Sequence, residues 1–216
     1  KLCWITGSRA EYGQGHWLAS DITADPNLTL QVVVTGSHLS ARFGNTYQEI
    51  EADGFFIDAK VPLPEEDVGV GMAKSVAAAM TGLAEALERL EPDIIIILGD
   101  RFEMLAAASA ALFLRIPVAH LHGGEVTEGA FDESIRHAIT KMAHLHFTAA
   151  EPYARRVAQM GENPDHIHNV GMAGLDALTR MKLMTRNELV ASLGFSLRQR
   201  FFLITFHSAT LSTTQP

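Results

Sequence analysis

The sequence predicts an α/β protein with a doubly wound, Rossmann-like parallel sheet. Segments of strand length alternate with segments of helical periodicity from residue 2 to about residue 170, and this alternation is typical of a parallel sheet covered by helices. The strand predicted at residues 93–98 contains four consecutive isoleucines. Such an unbroken β-branched run indicates a strand that is buried on both faces.

The first part of the chain is predicted to begin with a βα unit. An apolar strand at residues 2–6 leads through a glycine-bearing turn into a helix that ends at Pro26. Residues 28–35 contain three consecutive valines and form the second strand. Asn45 is the predicted N-cap of a short helix, and residues 55–57 form a further strand.

The rest of the chain continues the alternation. Residues 61–67 form a polar loop broken by prolines, and residues 72–90 carry apolar side chains at helical spacing, which predicts a core-facing helix. The later strands are predicted at residues 93–98, 116–120, 145–148 and 168–171, with helices after residue 103, from Phe131, and over residues 151–160.

A change of composition after residue 171 predicts a domain boundary. Short helical pieces with polar links replace the regular alternation, and Thr185 to Glu188 has the pattern of a capping box. Residues 201–206 are predicted to form one more strand. We therefore assign residues 1–170 to the Rossmann-like domain and residues 171–216 to a linker and the start of a second, incomplete domain.

The composition argues against several classes of protein. A net charge of −8 over 216 residues gives no reason to expect nucleic acid or an anionic membrane as partner. The apolar runs are too short to span a membrane, and the opening run is too short for a signal peptide. The single cysteine, Cys3, cannot form a disulfide within the chain. A soluble, cytoplasmic protein is therefore expected.

Charged side chains gather where the central strands end. The ligand crevice of an open α/β sheet lies beyond the carboxyl ends of its strands, and the sequence places there Asp100, Arg101, His122, Glu125, Asp132 and Glu133. Asp100 and Asp132 could each merely cap a helix. Together with Glu125, which follows two glycines that allow close approach to a ligand, they favour an acid/base site.

The sequence does not favour a cofactor. The glycines of residues 7–15 lack the G-x-G-x-x-G spacing, and the second strand ends at Thr35, where NAD would require a carboxylate. This loop could still present Arg9 and backbone N–H groups to a phosphate. The histidines between residues 120 and 168 do not have a metal-binding spacing. We therefore predict neither NAD nor a metal.

These motifs, taken together, resemble a known family. The sequence is similar to the hydrolysing UDP-N-acetylglucosamine 2-epimerases of sialic and legionaminic acid pathways, and the likeness covers nearly the whole chain. The matching segments are residues 7–13, 36–39, 44–47, 99–103, 122–125, 132–141 and 206–207.

The resemblance implies a fold, a reaction and a set of site residues. It implies the N-terminal half of a two-domain, glycosyltransferase-B-like fold with the active site between the domains, and a sugar-nucleotide-binding second domain. It implies conversion of UDP-N-acetylglucosamine and water to N-acetylmannosamine and UDP without a cofactor, in a homo-oligomer. It implies that Asp100, Glu125 and Asp132 carry out the proton transfers. It also implies that the diphosphate is bound by Arg9, Arg101 and His207, and that His38 lines the sugar pocket.

Three other functions stay open on the sequence. The segment 125–132 also resembles hydrolysing epimerases of UDP-2,4-diacetamido-2,4,6-trideoxyglucose. A non-hydrolysing epimerase would release UDP-N-acetylmannosamine, and the His-Gly-Gly-Glu loop at residues 122–125 argues against it. A non-catalytic sugar-nucleotide-binding or oligomerisation domain is the alternative outside the enzymes. Because the family has a complete second domain, we expect these residues alone to bind UDP weakly and to turn over slowly or not at all.

Overall fold

The computed structural model describes residues 1–64 and 69–205. Its parallel sheet has the strand order β3-β2-β1-β4-β5-β6-β7. The strands are β1 (Leu2–Thr6), β2 (Leu30–Thr35), β3 (Ala59–Val61), β4 (Ile94–Leu98), β5 (Val118–Leu121), β6 (Leu145–Thr148) and β7 (Ile167–Asn169). This order reverses direction between β1 and β4, which confirms the doubly wound, Rossmann-like class.

Helices follow most of the strands. They are α1 (Arg9–Ala24), α2 (Tyr47–Ala52), α3 (Val70–Leu90), α4 (Phe102–Leu114), α5 (Asp132–Met142), α6 (Glu151–Gln159), α7 (Asp176–Arg180) and α8 (Arg186–Leu193). The capping box predicted at Thr185 is confirmed, since Thr185 and Glu188 bond each other's backbone N–H groups at the start of α8. None of the helices in the described ranges is long and apolar enough to cross a membrane.

The core lies on both faces of the central strands. On one face Ile95 and Ile97 pack with Leu83 of α3 and Met104 of α4. On the other face the alternate β4 residues, Ile96 and Leu98, belong to a second cluster that contains Trp4, Tyr12 and Ile22. The prediction that the isoleucine run is buried on both faces is therefore confirmed, and β4 is held from two sides.

The predicted strand at residues 55–57 is wrong. The third strand is β3, four residues later, where Ala59 pairs with Val33 of β2. The Phe55 N–H instead donates to the carbonyl of Ile50 in α2, so this residue is bonded to the end of the helix and not to a strand. Asp58 then accepts the Val32 N–H through its side chain, so regular pairing begins only after it.

Asn45 is not the N-cap of α2. The helix begins at Tyr47, and Asn45 lies before it in a left-handed conformation with a φ of 49°. Thr46 occupies the capping position without a capping bond, because its hydroxyl bonds Nδ1 of His38 at 2.8 Å. The Thr46 hydroxyl thus connects α2 to His38, which follows β2, and does not cap the helix.

The strand predicted at residues 201–206 is also not found in its described part. Residues 201–205 have no regular secondary structure, and Phe202 is 95% exposed. A parallel strand is stable only beside another strand that takes up its backbone hydrogen bonds, and none of the described strands pairs with this segment. Residue 206 lies outside the described residues, and the domain boundary near residue 170 stays a prediction.

Gly15 on α1 makes room for a core tryptophan. A Cβ at Gly15 would lie 2.9 Å from Cε2 of Trp4, whereas a Cβ at Gly13, on the exposed side, would meet no atom of the described residues within 4 Å. We expect Gly15→Ala to lower the free energy of unfolding by about 1 to 3 kcal/mol through overpacking. Gly13→Ala is the matched control and should raise it by up to about 1 kcal/mol through helix propensity. Equal effects in urea unfolding would contradict this packing argument.

Candidate active site

Three segments meet at the carboxyl edge of the sheet. Asp100 follows β4, His122 and Glu125 lie on the loop after β5, and α5 begins next to that loop at Asp132. A cavity of about 450 Å³ lies there, and its lining includes Asp100, His122, Glu125, Arg136 and Tyr153. The structure therefore brings Asp100 and Glu125, two of the three predicted acids, to one cavity.

Arg136 on α5 connects these segments. Its side chain is only 4% exposed, and its guanidinium pairs with Asp100 and, at 3.1 Å, with Glu133. It also donates to the backbone carbonyl of Glu125 at 2.9 Å and to the Thr127 hydroxyl at 2.6 Å. Sequence reasoning missed this residue. A signal existed, since Arg136 is three residues after Glu133 and one helical turn inside an acidic helix start.

Glu125 forms a dyad with His122. The Nδ1 atom of His122 lies 2.7 Å from Oε1 of Glu125, and since a carboxylate accepts, Nδ1 is the donor. The Nε2 atom of His122 is buried and has no hydrogen-bond partner among the described residues. The hydrogen bond therefore holds the His122 imidazole beside one predicted acid, and Nε2 is left without a hydrogen bond to the described residues.

The two glycines of this loop serve packing inside the protein. Gly124 has a φ of 79°, and a Cβ there would overlap the Tyr153 carbonyl of α6 and lie 2.9 Å from the Val157 side chain. A Cβ at Gly123 would lie 3.2 Å from both His120 and Thr140. The absence of side chains at these two glycines thus allows the loop backbone to lie close to α6 and to buried side chains of the protein.

Neither Asp100 nor Asp132 caps a helix through its side chain. The N-cap of α4 is Arg101 and that of α5 is Phe131, and neither makes a side-chain capping bond. Asp132, the third predicted acid, is the half-buried first residue of α5 and lies near enough to Arg101 to affect its ionisation. Neither acid is therefore an N-cap, although Asp132 lies in the first turn of α5, where the helix dipole favours a carboxylate.

Arg101 is held by a buried carboxylate. Its guanidinium contacts Glu103 at 2.9 and 3.2 Å, and Glu11 lies 3.9 Å away. Burial lowers the pKa of Arg101, but the carboxylates of Glu103, Glu11 and Asp132 outweigh it and raise that pKa above its ordinary value. Arg101 and Glu103 line a second cavity of about 180 Å³.

Glu11 and Glu103 were not predicted as site residues. Both lie inside segments that carry the family resemblance, and Glu103 is a charged residue at the start of an otherwise alanine-rich, apolar helix. A buried charge needs a partner, and this is the signal that could have found them. Glu103 is bonded to Arg101, whereas Glu11 accepts from the backbone N–H groups of Gly7 and Ser8 and lies 3.9 Å from the same guanidinium.

The remaining predicted residues lie apart from the acid cluster. Arg9 is exposed and pairs with Glu49 at 3.1 Å. His38 is fully buried, and its ring nitrogens lie 3.1 Å from the Thr6 hydroxyl and 2.8 Å from the Thr46 hydroxyl. Burial lowers the pKa of His38 to about 4, which keeps it neutral. His207 lies outside the described residues, so the binding roles of these three stay predictions.

Metal binding finds no support in the described ranges. Within residues 1–64 and 69–205, no group of three or more histidine, cysteine, aspartate or glutamate side chains is arranged to hold a metal ion. The buried histidines have protein partners instead: His120 donates to the Gly99 carbonyl at 2.8 Å, and His146 lies 3.3 Å from Glu162.

Glu11 couples stability to pH. Burial raises its pKa from 4.5 to about 7, although Arg101 opposes the rise. Between these values the unfolded chain releases a proton that the folded protein keeps, so the folded state binds more protons and its stability falls as the pH rises from about 4.5 to about 7. Above that range the loss is complete and amounts to roughly 3 kcal/mol.

Glu11→Gln tests this coupling. Glutamine stays uncharged and can still accept from the backbone N–H groups of Gly7 and Ser8. We expect the free energy of unfolding of the variant, relative to wild type, to rise by roughly 2 to 3 kcal/mol between pH 5 and pH 8 in urea titrations. Glu85→Gln, at an exposed site on α3, should show no such trend. A flat difference for both variants would contradict the prediction.

A doubly wound domain with acids and arginines at its topological switch point defines the class of ligand-binding α/β domains. The crystal structure of UDP-GlcNAc 2-epimerase from Neisseria meningitidis bound to UDP-GlcNAc matches with a TM-score of 0.74 at 20% identity, covering 82% of this chain and 48% of that chain. The fold is thus the N-terminal half of a glycosyltransferase-B-like fold.

The chain belongs to the UDP-N-acetylglucosamine 2-epimerase family, whose model matches residues 20–216. It is 41% identical to GDP/UDP-N,N'-diacetylbacillosamine 2-epimerase (hydrolyzing) of Campylobacter jejuni, over 98% of this chain and 55% of that protein. It is 40% identical to UDP-N,N'-diacetylbacillosamine 2-epimerase (hydrolyzing) of Legionella pneumophila, over 96% and 55%. The chain spans about half the length of these relatives, and the predicted resemblance to the hydrolysing epimerases is confirmed.

Proposed function

We propose that the full-length protein is a hydrolysing 2-epimerase of a UDP-linked 2-acetamido sugar. The observation that carries the proposal is the placement of Asp100 and Glu125 on one cavity at the carboxyl edge of the sheet. Inverting C2 requires a base to remove its proton and an acid to return one, and two carboxylates facing one cavity can supply both. UDP-sugar is the substrate class, and a homo-oligomer is the expected assembly.

The resemblance to the hydrolysing epimerases implies the sequence of steps that we propose for these groups. One carboxylate removes the C2 proton while a second acid protonates the departing diphosphate oxygen, which gives UDP and a glycal. Water then adds at C1 of the glycal as C2 receives a proton on its opposite face, and the free 2-epimer is released. We propose that Asp100, Glu125 and Asp132 share these transfers.

The cations act on the leaving group. Arg101 is fixed by Glu103 and keeps 39% of its side chain exposed, so part of its guanidinium can face a diphosphate. Fixed cations are most effective where negative charge develops during the reaction. Arg9 and His207 are proposed to assist Arg101, and His38 to support the sugar pocket from its buried position.

Two substrates are proposed in order of support. UDP-N,N'-diacetylbacillosamine, which is UDP-2,4-diacetamido-2,4,6-trideoxyglucose, comes first because both curated relatives described above are named for it. UDP-N-acetylglucosamine, yielding N-acetylmannosamine and UDP, is the second, because the family description names it. The two differ at C4 and C6, so they test the same proton chemistry with different pocket contacts.

Proton NMR of the full-length protein in deuterated water tests the proposal. Each UDP-sugar is incubated separately, and both products are followed over time. We expect UDP together with a free 2-epimer that carries deuterium at C2, formed faster from the diacetamido substrate. Release of an intact UDP-linked epimer would indicate a non-hydrolysing enzyme. If neither sugar reacts, the binding-domain alternative replaces the proposal.

A further inference from the structure

The donors of Arg136 are used by the protein itself. Its two terminal nitrogens carry four N–H groups, and four acceptors face them: Asp100 and Thr127 at one nitrogen, Glu133 and the carbonyl of Glu125 at the other. With both terminal nitrogens so occupied, the guanidinium has no terminal N–H left for a diphosphate. Arg136 therefore differs from Arg101, which is partly exposed.

The cost of burying Arg136 indicates that its position matters. An unpaired buried charge is strongly unfavourable, and burial together with nearby Arg156 lowers the pKa of Arg136. Two carboxylates and two neutral acceptors compensate the charge. A lysine ammonium has three N–H donors on a single nitrogen, so it could not reach all four acceptors that the two terminal nitrogens of the guanidinium serve.

The contacts of Arg136 cross the cavity. Asp100 extends from the end of β4, whereas Glu125 and Thr127 belong to the loop after β5. Arg156 of α6 donates to the carbonyl of Gly124 in the same loop. The loop is thus attached by one arginine to α6 and by the other to both α5 and Asp100.

We propose that Arg136 is a positioning residue for the epimerisation: it fixes Asp100 and the Glu125 backbone at a set separation across the cavity and transfers no proton itself. This inference rests on the proposed function. A change of about 1 Å in the position of reacting groups costs about 100-fold in rate. Removing Arg136 should therefore lower kcat and leave KM nearly unchanged, because the substrate contacts stay in place.

Chemical rescue in the full-length protein tests the role. Arg136→Ala should lower kcat by about 100-fold, with KM within about threefold of wild type. Because Arg136 lines the cavity, added guanidinium can re-enter the vacated space and should restore kcat at least tenfold. Arg136→Lys should stay impaired, since its ammonium lacks the fork. Arg155→Ala, at an exposed residue of α6, is the matched control and should neither lose activity nor respond to guanidinium.

Each alternative result overturns the inference. A KM that rises while kcat is kept would make Arg136 a substrate ligand, and activity within threefold of wild type would remove any role. The thermal transition shows whether Arg136→Ala folds. If it does not, Thr127→Val removes one of the Arg136 contacts instead. This variant must lower kcat by a larger factor than the factor by which it changes KM. Wild-type turnover of neither UDP-sugar would instead count against the proposed function, independently of the variants.

Discussion

Asp100→Asn in the full-length protein is expected to lower kcat/KM by about 10² to 10⁴, the range that one acid or base contributes. Asparagine keeps the shape of the side chain and can still accept from Arg136, but it cannot take up a proton. If Asp100 is the base, incorporation of deuterium at C2 of the sugar should slow in parallel with product release.

The control for this variant is Asp165→Asn. Asp165 is an exposed carboxylate in the turn before β7, so its loss should leave turnover unchanged. Because Asp100→Asn also weakens a buried ion pair, the thermal transition of the variant is measured alongside its activity. A folded variant with wild-type kcat/KM would remove Asp100 from the proton transfers.

Gly36→Ala is expected to have the largest effect on stability. Gly36 has a φ of 57°, and a Cβ there would overlap the Glu103 carboxylate and lie 2.8 Å from the Gly7 carbonyl oxygen. Overpacking and the left-handed conformation together should lower the free energy of unfolding by about 3 kcal/mol. The variant should also lose substrate affinity, since Glu103 would be displaced from Arg101.

Gly44→Ala separates the two causes. Gly44 lies in the same connection between β2 and α2 with a φ of 84°, and within residues 1–64 and 69–205 a Cβ there would meet nothing closer than 4 Å. It carries the conformational cost alone, about 1 kcal/mol. Urea unfolding of both variants measures the difference. Equal losses would show that crowding against Glu103 contributes nothing.

The fold was predictable because burial leaves a local pattern. The isoleucine run predicts that β4 is buried on both faces, and the helical spacing of the apolar residues predicts that α3 packs on the core. The structure confirms both predictions. The errors at residues 55–57 and 201–205 have one origin. Apolar, β-prone residues identify a segment that can form a strand, but a strand also requires a neighbour, and pairing is not a local property.

The site was predictable only in part, for a similar reason. Asp100 and Glu125 follow strands, so their meeting at one edge follows from the topology. Arg136 and Glu103 are partners of predicted residues from inside helices, and only the packed structure shows which charge each one faces. The burial of His38 is equally invisible in sequence, since a histidine at a strand end looks the same whether it faces solvent or two threonines.

The burial of β4 on both faces has a mechanical consequence for the two acids. Asp100 lies two residues after the end of β4, a strand that core side chains hold from both faces, so its position is referred to the core. Glu125 belongs to a loop located by hydrogen bonds to two arginines. The backbone is therefore less adjustable on the Asp100 side, and we expect a substitution that changes the separation of the two carboxylates to lie in the Glu125 loop or at one of its two arginines.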